Sequence, residues 1–215
     1  MDFVDLATRV MLGEEVPAIH PSALELDYVA VKAPQFSYSR LHGTDPLPSV
    51  EMASTGEVGC FGGELDAALL KALLATDFVL PRKGALVSVS GDENRFKLLD
   101  VVRDLAATGL PMYATEHTRD FFAREGVDLS FVHKIHESGE PNVATLMAEG
   151  VFDLVVAIPK DYARTGSDAS AAVRRSAAKY AVPLLANIQL ARALMAALPG
   201  ATEEGLHVRA WDGYK

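Results

Sequence analysis

From Gly84 to about residue 200, short apolar runs of strand length alternate with amphipathic stretches of helix length, and this constrains the fold more than anything else in the chain. The first run, Gly84-Ala85-Leu86-Val87-Ser88-Val89-Ser90, is almost continuously apolar. That is the pattern of a strand covered on both faces, as in a parallel sheet. A helix is expected from about Glu93 to Ala107, burying Phe96, Leu99, Val102 and Leu105. A short strand follows at Pro111 to Ala114, then a polar turn and a helix from about Thr118 that closes near Gly126. Further strands are expected at Leu129 to His133, Asp153 to Ile158 and Pro183 to Asn187. Their companion helices are Val143 to Glu149, Ala169 to Tyr180 and Leu190 to Leu198. Parallel strands joined by helices form right-handed crossovers, so the expected fold is α/β, a Rossmann-like three-layer sandwich with a mostly parallel sheet.

Residues 1 to about 82 read differently. Phe3 to Gly13 has the pattern of a short amphipathic helix closed by glycine. Tyr28 to Lys32 reads as a strand, Pro34 to Pro48 as a loop, and Val50 to Gly63 as a second strand pairing with the first. Glu64 to Asp77 carries Leu65, Ala68, Leu69 and Leu73 at helical spacing. Two strands and two helices make a poor core alone, so this segment needs something else to pack against. The tail, with Trp211 in His207-Val208-Arg209-Ala210-Trp211, has the composition of a short edge strand.

Composition narrows the function. Over 215 residues, 49% are hydrophobic and 23% charged, as in an ordinary globular protein. The formal net charge is -9, with a pI near 5.1, which argues against nonspecific nucleic-acid or anionic-membrane binding. A single cysteine, Cys60, allows no internal disulfide. It sits in the apolar run Val58 to Phe61, where a buried structural thiol is expected rather than a nucleophile. With no basic-then-apolar leader at Met1-Asp2-Phe3-Val4-Asp5 and no apolar run of membrane length, a cytoplasmic location is expected.

Ligands of doubly wound sheets sit beyond the carboxyl ends of the strands. Those ends are Ser88/Ser90, Thr115, His133/Lys134, Ala157/Ile158 and Asn187. Thr115 and Thr118 are spaced like a capping pair at a helix start. Their hydroxyls and the free N–H groups of the first turn either cap the helix or hold an anion there. Lys134 can add a charge-assisted bond to a phosphate. His133 and His136 flank Lys134 without the cysteines or carboxylates of a metal site, so no metal is expected. Arg174 and Arg175 either bridge to Asp168 or face the pocket.

Several of these stretches resemble one known family. The runs Asp27 to Ser37, Ser39-Arg40-Leu41 and Glu51 to Val58 are similar to the end of the second ATP-grasp unit of the carbamoyl-phosphate synthetase large subunit. Phe3 to Met11 resembles the helix just after its metal-binding carboxylate and asparagine. From Lys83 on, Ala114-Thr115, Thr118, Lys134-Ile135-His136-Glu137 and Val173-Arg174-Arg175-Ser176-Ala177 resemble that enzyme's regulatory domain, of the methylglyoxal synthase-like fold. The resemblance implies an ATP-grasp remnant over 1–82 and a regulatory domain over 83–215. It implies a phosphorylated nucleotide effector (UMP, IMP or UTP) at Thr115, Thr118 and Lys134, with Ser88, Ser90, Arg174 and Arg175 as further candidates. ATP, Mg²⁺ and bicarbonate belong to the parent enzyme; the positions that bind ATP and Mg²⁺ there precede the one matching Met1. No catalytic residue and no cofactor of this chain alone is therefore expected. The implied partners are the remainder of the large subunit, the glutaminase subunit and a second copy of the chain.

The chain also departs from that family. Glu93 stands where some members carry a phosphate-binding lysine, Ala157-Ile158-Pro159 replaces a polar cluster, and Leu184 and Ala186 replace the Tyr and Thr that contact ornithine. These changes point away from ornithine control and toward a different effector or weakened binding. Two other readings stand beside the regulator. One is an oligomerisation scaffold with a vestigial pocket. The other is methylglyoxal synthase itself, for which Glu140 stands near the base position but no histidine lies between His136 and His207.

Overall fold

The computed structural model describes residues 2–18, 25–35, 46–47, 56–160, 170–201, 206, 209–210 and 213. The Ser37, Ser39-Arg40-Leu41, Glu51 to Thr55, Asp168 and Trp211 readings lie outside the described residues.

The main sheet has five parallel strands: β3 (Ala85–Val89), β4 (Met112–Ala114), β5 (Ser130–Phe131), β6 (Leu154–Ile158) and β7 (Leu184–Leu185). For reference, β1 (Val29–Gln35) and β2 (Gly56–Gly62) precede them. The order in the main sheet is β5-β4-β3-β6-β7. The chain therefore winds outward from β3 to one edge, then returns to pair β6 with the other side of β3, Ala85 opposite Leu154 and Val89 opposite Ile158. That reversal between β3 and β6 is a topological switch point, where the loops on either side part and leave a crevice.

All five residues of β3 and all five of β6 are buried. Alternate residues serve two cores, as the pleat requires. Ala85, Val87, Val89, Leu154, Val156 and Ile158 pack with α3 (Asp92–Ala107), α4 (Glu116–Arg124) and α7 (Ile188–Ala197) on one face. Leu86, Val155 and Ala157 pack with α5 (Val143–Ala148) and α6 (Ala171–Lys179) on the other. The three-layer α/β fold read from the sequence is the observed one.

Two of the differences from the sequence reading bear on the site. The buried stripe of α3 is Leu98, Val101, Val102 and Leu105, while Phe96 is 59% exposed. A one-residue error in helical phase turns a side chain by about 100° and so exchanges faces. Phe96 is not idle, since its ring meets Phe121 edge-on at 4.8 Å. Helix α4 begins at Glu116, two residues before the expected start, because the Thr115 carbonyl already accepts from Thr118 N and Arg119 N, both at 2.9 Å.

In the first segment, β1 pairs antiparallel with β2, Val29 opposite Gly62. Helix α2 (Leu65–Ala75) sends Leu69 and Leu73 into the larger core, though Leu65 is 52% exposed. Part of what this segment packs against is thus the larger core. Asp153, just before β6, accepts from the backbone N–H of Arg82 (2.6 Å), Lys83 (2.8 Å) and Gly84 (3.1 Å), which fixes the connection into β3. Cys60 is half-buried on β2 rather than fully buried. Helix α1 (Phe3–Met11) is capped by Asp2 but buries none of its residues. Among the described residues, no helix is long and apolar enough to cross a membrane.

Candidate functional site

The ends of β3 and β4 open into a cavity of about 100 Å³, room for several waters or one phosphoryl group. Its described lining comes from five places. Ser88, Val89 and Ser90 end β3, and Arg95 stands on α3. Thr115, His117 and Thr118 form the start of α4. Lys134, Ile135 and His136 come from the loop after β5, and Ala172 and Val173 from α6. Of the residues read from the sequence, Ser88, Ser90, Thr115, Thr118 and Lys134 therefore meet in one place.

Thr115 occupies the N-cap of α4 in extended backbone, yet its hydroxyl makes no capping bond. Capping thus does not occupy it, and it lies at the wall of the cavity with the first-turn N–H groups. The Thr118 hydroxyl lies 3.4 Å from Val89 N and 3.5 Å from Val89 O. Both distances are long for hydrogen bonds, so a shorter acceptor in the cavity would compete well. Thr118 is nonetheless 2% exposed, so its position is set by packing between β3 and α4.

Lys134 is held by its backbone. Its N–H donates to Glu137 Oε2 at 2.8 Å, and its carbonyl accepts from Asn142 Nδ2 at 2.8 Å. Its ammonium lies 3.8 Å from Glu137 Oε1, a loose pair. The Lys134 backbone N–H holds the Glu137 carboxyl below its usual value, with Lys134 and His133 charges adding to the effect. Glu137 is thus both the brace of this turn and the internal rival of any anion bound to Lys134.

Arg174 and Arg175 are not among the described lining. Arg174 is wholly buried on α6, where Nη1 donates to Ser170 Oγ at 2.6 Å. His133 is turned to Glu137 (3.4 Å) and to the Phe131 ring (4.7 Å). Glu93 is solvent-facing and bonded to Lys97 at 2.6 Å, which lowers its pKa. Arg95 and His117 were not signalled by strand ends or capping spacing, and both line the cavity. Among the described residues, no group of three His, Cys, Asp or Glu side chains has the arrangement of a metal site.

The fold and the cavity define a doubly wound α/β unit with a cation-bearing pocket at the carboxyl ends of its strands. Residues 97–186 match the family model of the MGS-like domain. Over most of its length the chain is similar to larger proteins. It is 37% identical over 201 residues to the human mitochondrial carbamoyl-phosphate synthase [ammonia], covering 89% of this chain and 13% of that protein. It is 36% identical over 205 residues to multifunctional protein ura1 of Schizosaccharomyces pombe, covering 92% and 9%. URA2 of Saccharomyces cerevisiae matches at 36% over 207 residues, again 92% and 9%. The chain thus spans about a tenth of the length of these relatives, and its resemblance to carbamoyl-phosphate synthetase holds.

Proposed function

We propose that this chain is the regulatory and assembly part of a carbamoyl-phosphate synthetase. Its cavity takes the phosphoryl group of a nucleotide effector and so controls carbamoyl phosphate synthesis for pyrimidine and arginine formation. The observation that carries this reading is the meeting of Ser88, Ser90, Thr115, Thr118 and Lys134 at the carboxyl ends of the strands. Hydroxyls, first-turn N–H groups and one ammonium are the donor set that a phosphoryl group needs.

The mechanism is a bias of one equilibrium by another. An anion drawn onto α4 and Lys134 favours one arrangement of the β3, α3 and α4 ends. Helices α3 and α7 pack together with α2, which leads back to β1 and β2. An effector can therefore alter the remainder of the synthetase only through contacts that differ between its bound and free forms. Catalysis, ATP and Mg²⁺ are assigned to that remainder, ammonia to a glutaminase partner, and self-association to this chain.

The test is a thermal-shift panel with UMP, UTP, IMP, phosphoribosyl pyrophosphate and inorganic phosphate. A ligand that binds only the folded state raises the melting temperature. A rise with one nucleotide, lost in Thr115→Ala and Lys134→Ala, supports the regulator. A folded chain that responds to none of them overturns it and leaves the oligomerisation scaffold. Phosphate release from dihydroxyacetone phosphate would instead favour the lyase.

A further inference from the structure

Arg95 lies on the buried stripe of α3, three residues before Leu98 and seven before Val102. Its side chain is only 14% exposed. One edge of the guanidinium is held by Asp92, which accepts from Nη1. The other edge is different. Nε is buried, has no hydrogen-bond partner among the described residues, and belongs to a residue that lines the cavity. A buried N–H on a permanently charged group is rarely left without an acceptor in a folded protein, because its desolvation is then uncompensated. Around the same cavity stand the hydroxyls of Ser88, Ser90, Thr115 and Thr118 and the ammonium of Lys134. These are groups that can donate, so an acceptor rich in oxygen and negative charge would complete the set.

We propose that Arg95 is an anion-binding residue of this pocket, its free guanidinium edge donating to an oxygen of the bound phosphoryl group. The proposal rests on the effector-pocket reading above and adds the residue that gives it direction. A guanidinium is planar and presents its donors in a fixed fork, whereas an ammonium acts as a point charge. Asp92 holds that fork by one edge, and so sets its angle while leaving the charge only partly neutralised. Arg95 and Lys134 then approach the anion from separate elements, α3 and the loop after β5. The first turn of α3 offers no other cation, since Glu93 faces solvent and is tied to Lys97.

The test is isothermal titration of the 215-residue chain with inorganic phosphate and with UMP, using wild type, Arg95→Ala, Arg95→Lys, Asp92→Asn and Thr115→Ala. Arg95→Ala is expected to weaken binding of both probes about tenfold or more, the loss of one charge-assisted bond. Arg95→Lys keeps the charge but loses the fork, and is expected to restore only part of the affinity. Asp92→Asn removes the competing carboxylate and is expected to tighten binding, which a merely structural role for Arg95 would not produce. Should Arg95→Ala fail to fold, Arg95→Lys and Asp92→Asn decide the matter. Wild-type affinity in Arg95→Ala or Arg95→Lys, with Thr115→Ala impaired, would overturn the role of Arg95 and leave the pocket standing. No binding of either probe by folded wild type would overturn both.

Discussion

The side-chain amide of Asn94 donates to the carbonyl of Pro159 at 2.9 Å, and its second donor contact is the Ser90 carbonyl at 3.0 Å. One residue at the start of α3 thus ties the end of β3 to the end of β6, across the switch point. Replacing Asn94 by Ala leaves both carbonyls without this donor. The expected cost is about 1–2 kcal/mol in urea unfolding, with weaker anion binding because the β3 end is no longer fixed.

Asp153 makes the other tether. Three successive backbone N–H groups converge on its carboxylate. Asp153→Ala is expected to destabilise the chain by about 2 kcal/mol and to speed amide exchange at Lys83 and Gly84. Asp153→Asn keeps an acceptor and should cost about half as much. Equal amide protection in wild type and Asp153→Ala would show that the carboxylate is not what holds this connection.

Gly62 ends β2 against the first turn of α2. A Cβ placed there would lie 2.6 Å from Ala68 N and 2.9 Å from the Glu64 carbonyl, both backbone atoms that cannot swing away. Gly62→Ala should cost about 1–3 kcal/mol. Gly63→Ala meets nothing within 4 Å and serves as the matched control, with a melting temperature close to wild type.

The pH dependence of the Lys134 turn follows from Glu137. Its folded pKa is lowered from the ordinary 4.5, chiefly by the Lys134 backbone N–H. A depressed carboxylate contributes stability that is fully present above pH 4.5 and fades as the pH falls through the lowered folded value. Urea midpoints taken from pH 6 down to about 3 should therefore fall less steeply in Glu137→Gln than in wild type. The same variant removes the internal rival of Lys134, so its phosphate affinity at neutral pH should rise. An unchanged acid limb would contradict the brace assigned to Glu137.

The sheet was legible because its strands are buried on both faces. Runs such as Leu86-Val87-Ser88-Val89 and Leu154 to Ile158 leave little choice but a covered parallel sheet. Part of the cavity lining was legible too, since strand ends and a Thr-x-x-Thr spacing point to Ser88, Ser90, Thr115 and Thr118, which meet there. Arg95 was hidden by helical phase. Once Leu98, Val102 and Leu105 are taken as the buried stripe, the residue three positions before Leu98 falls on it, and an arginine there needs a partner. The phase was ambiguous because Phe96 and Leu99 offer an equally apolar stripe, and only contact with α7 and the sheet selects between them. His117 carried no such signal, since it enters the pocket only because α4 begins at Glu116.

The most direct measurement is amide chemical-shift mapping of the labelled chain during titration with UMP, and separately with inorganic phosphate. The largest shifts are expected at Ser90, at Glu116 to Thr118 and at Lys134 to His136, saturating together, and absent in Thr115→Ala. Shifts spread over the surface, or centred elsewhere while these amides stay still, would contradict the claim that this cavity is the effector site.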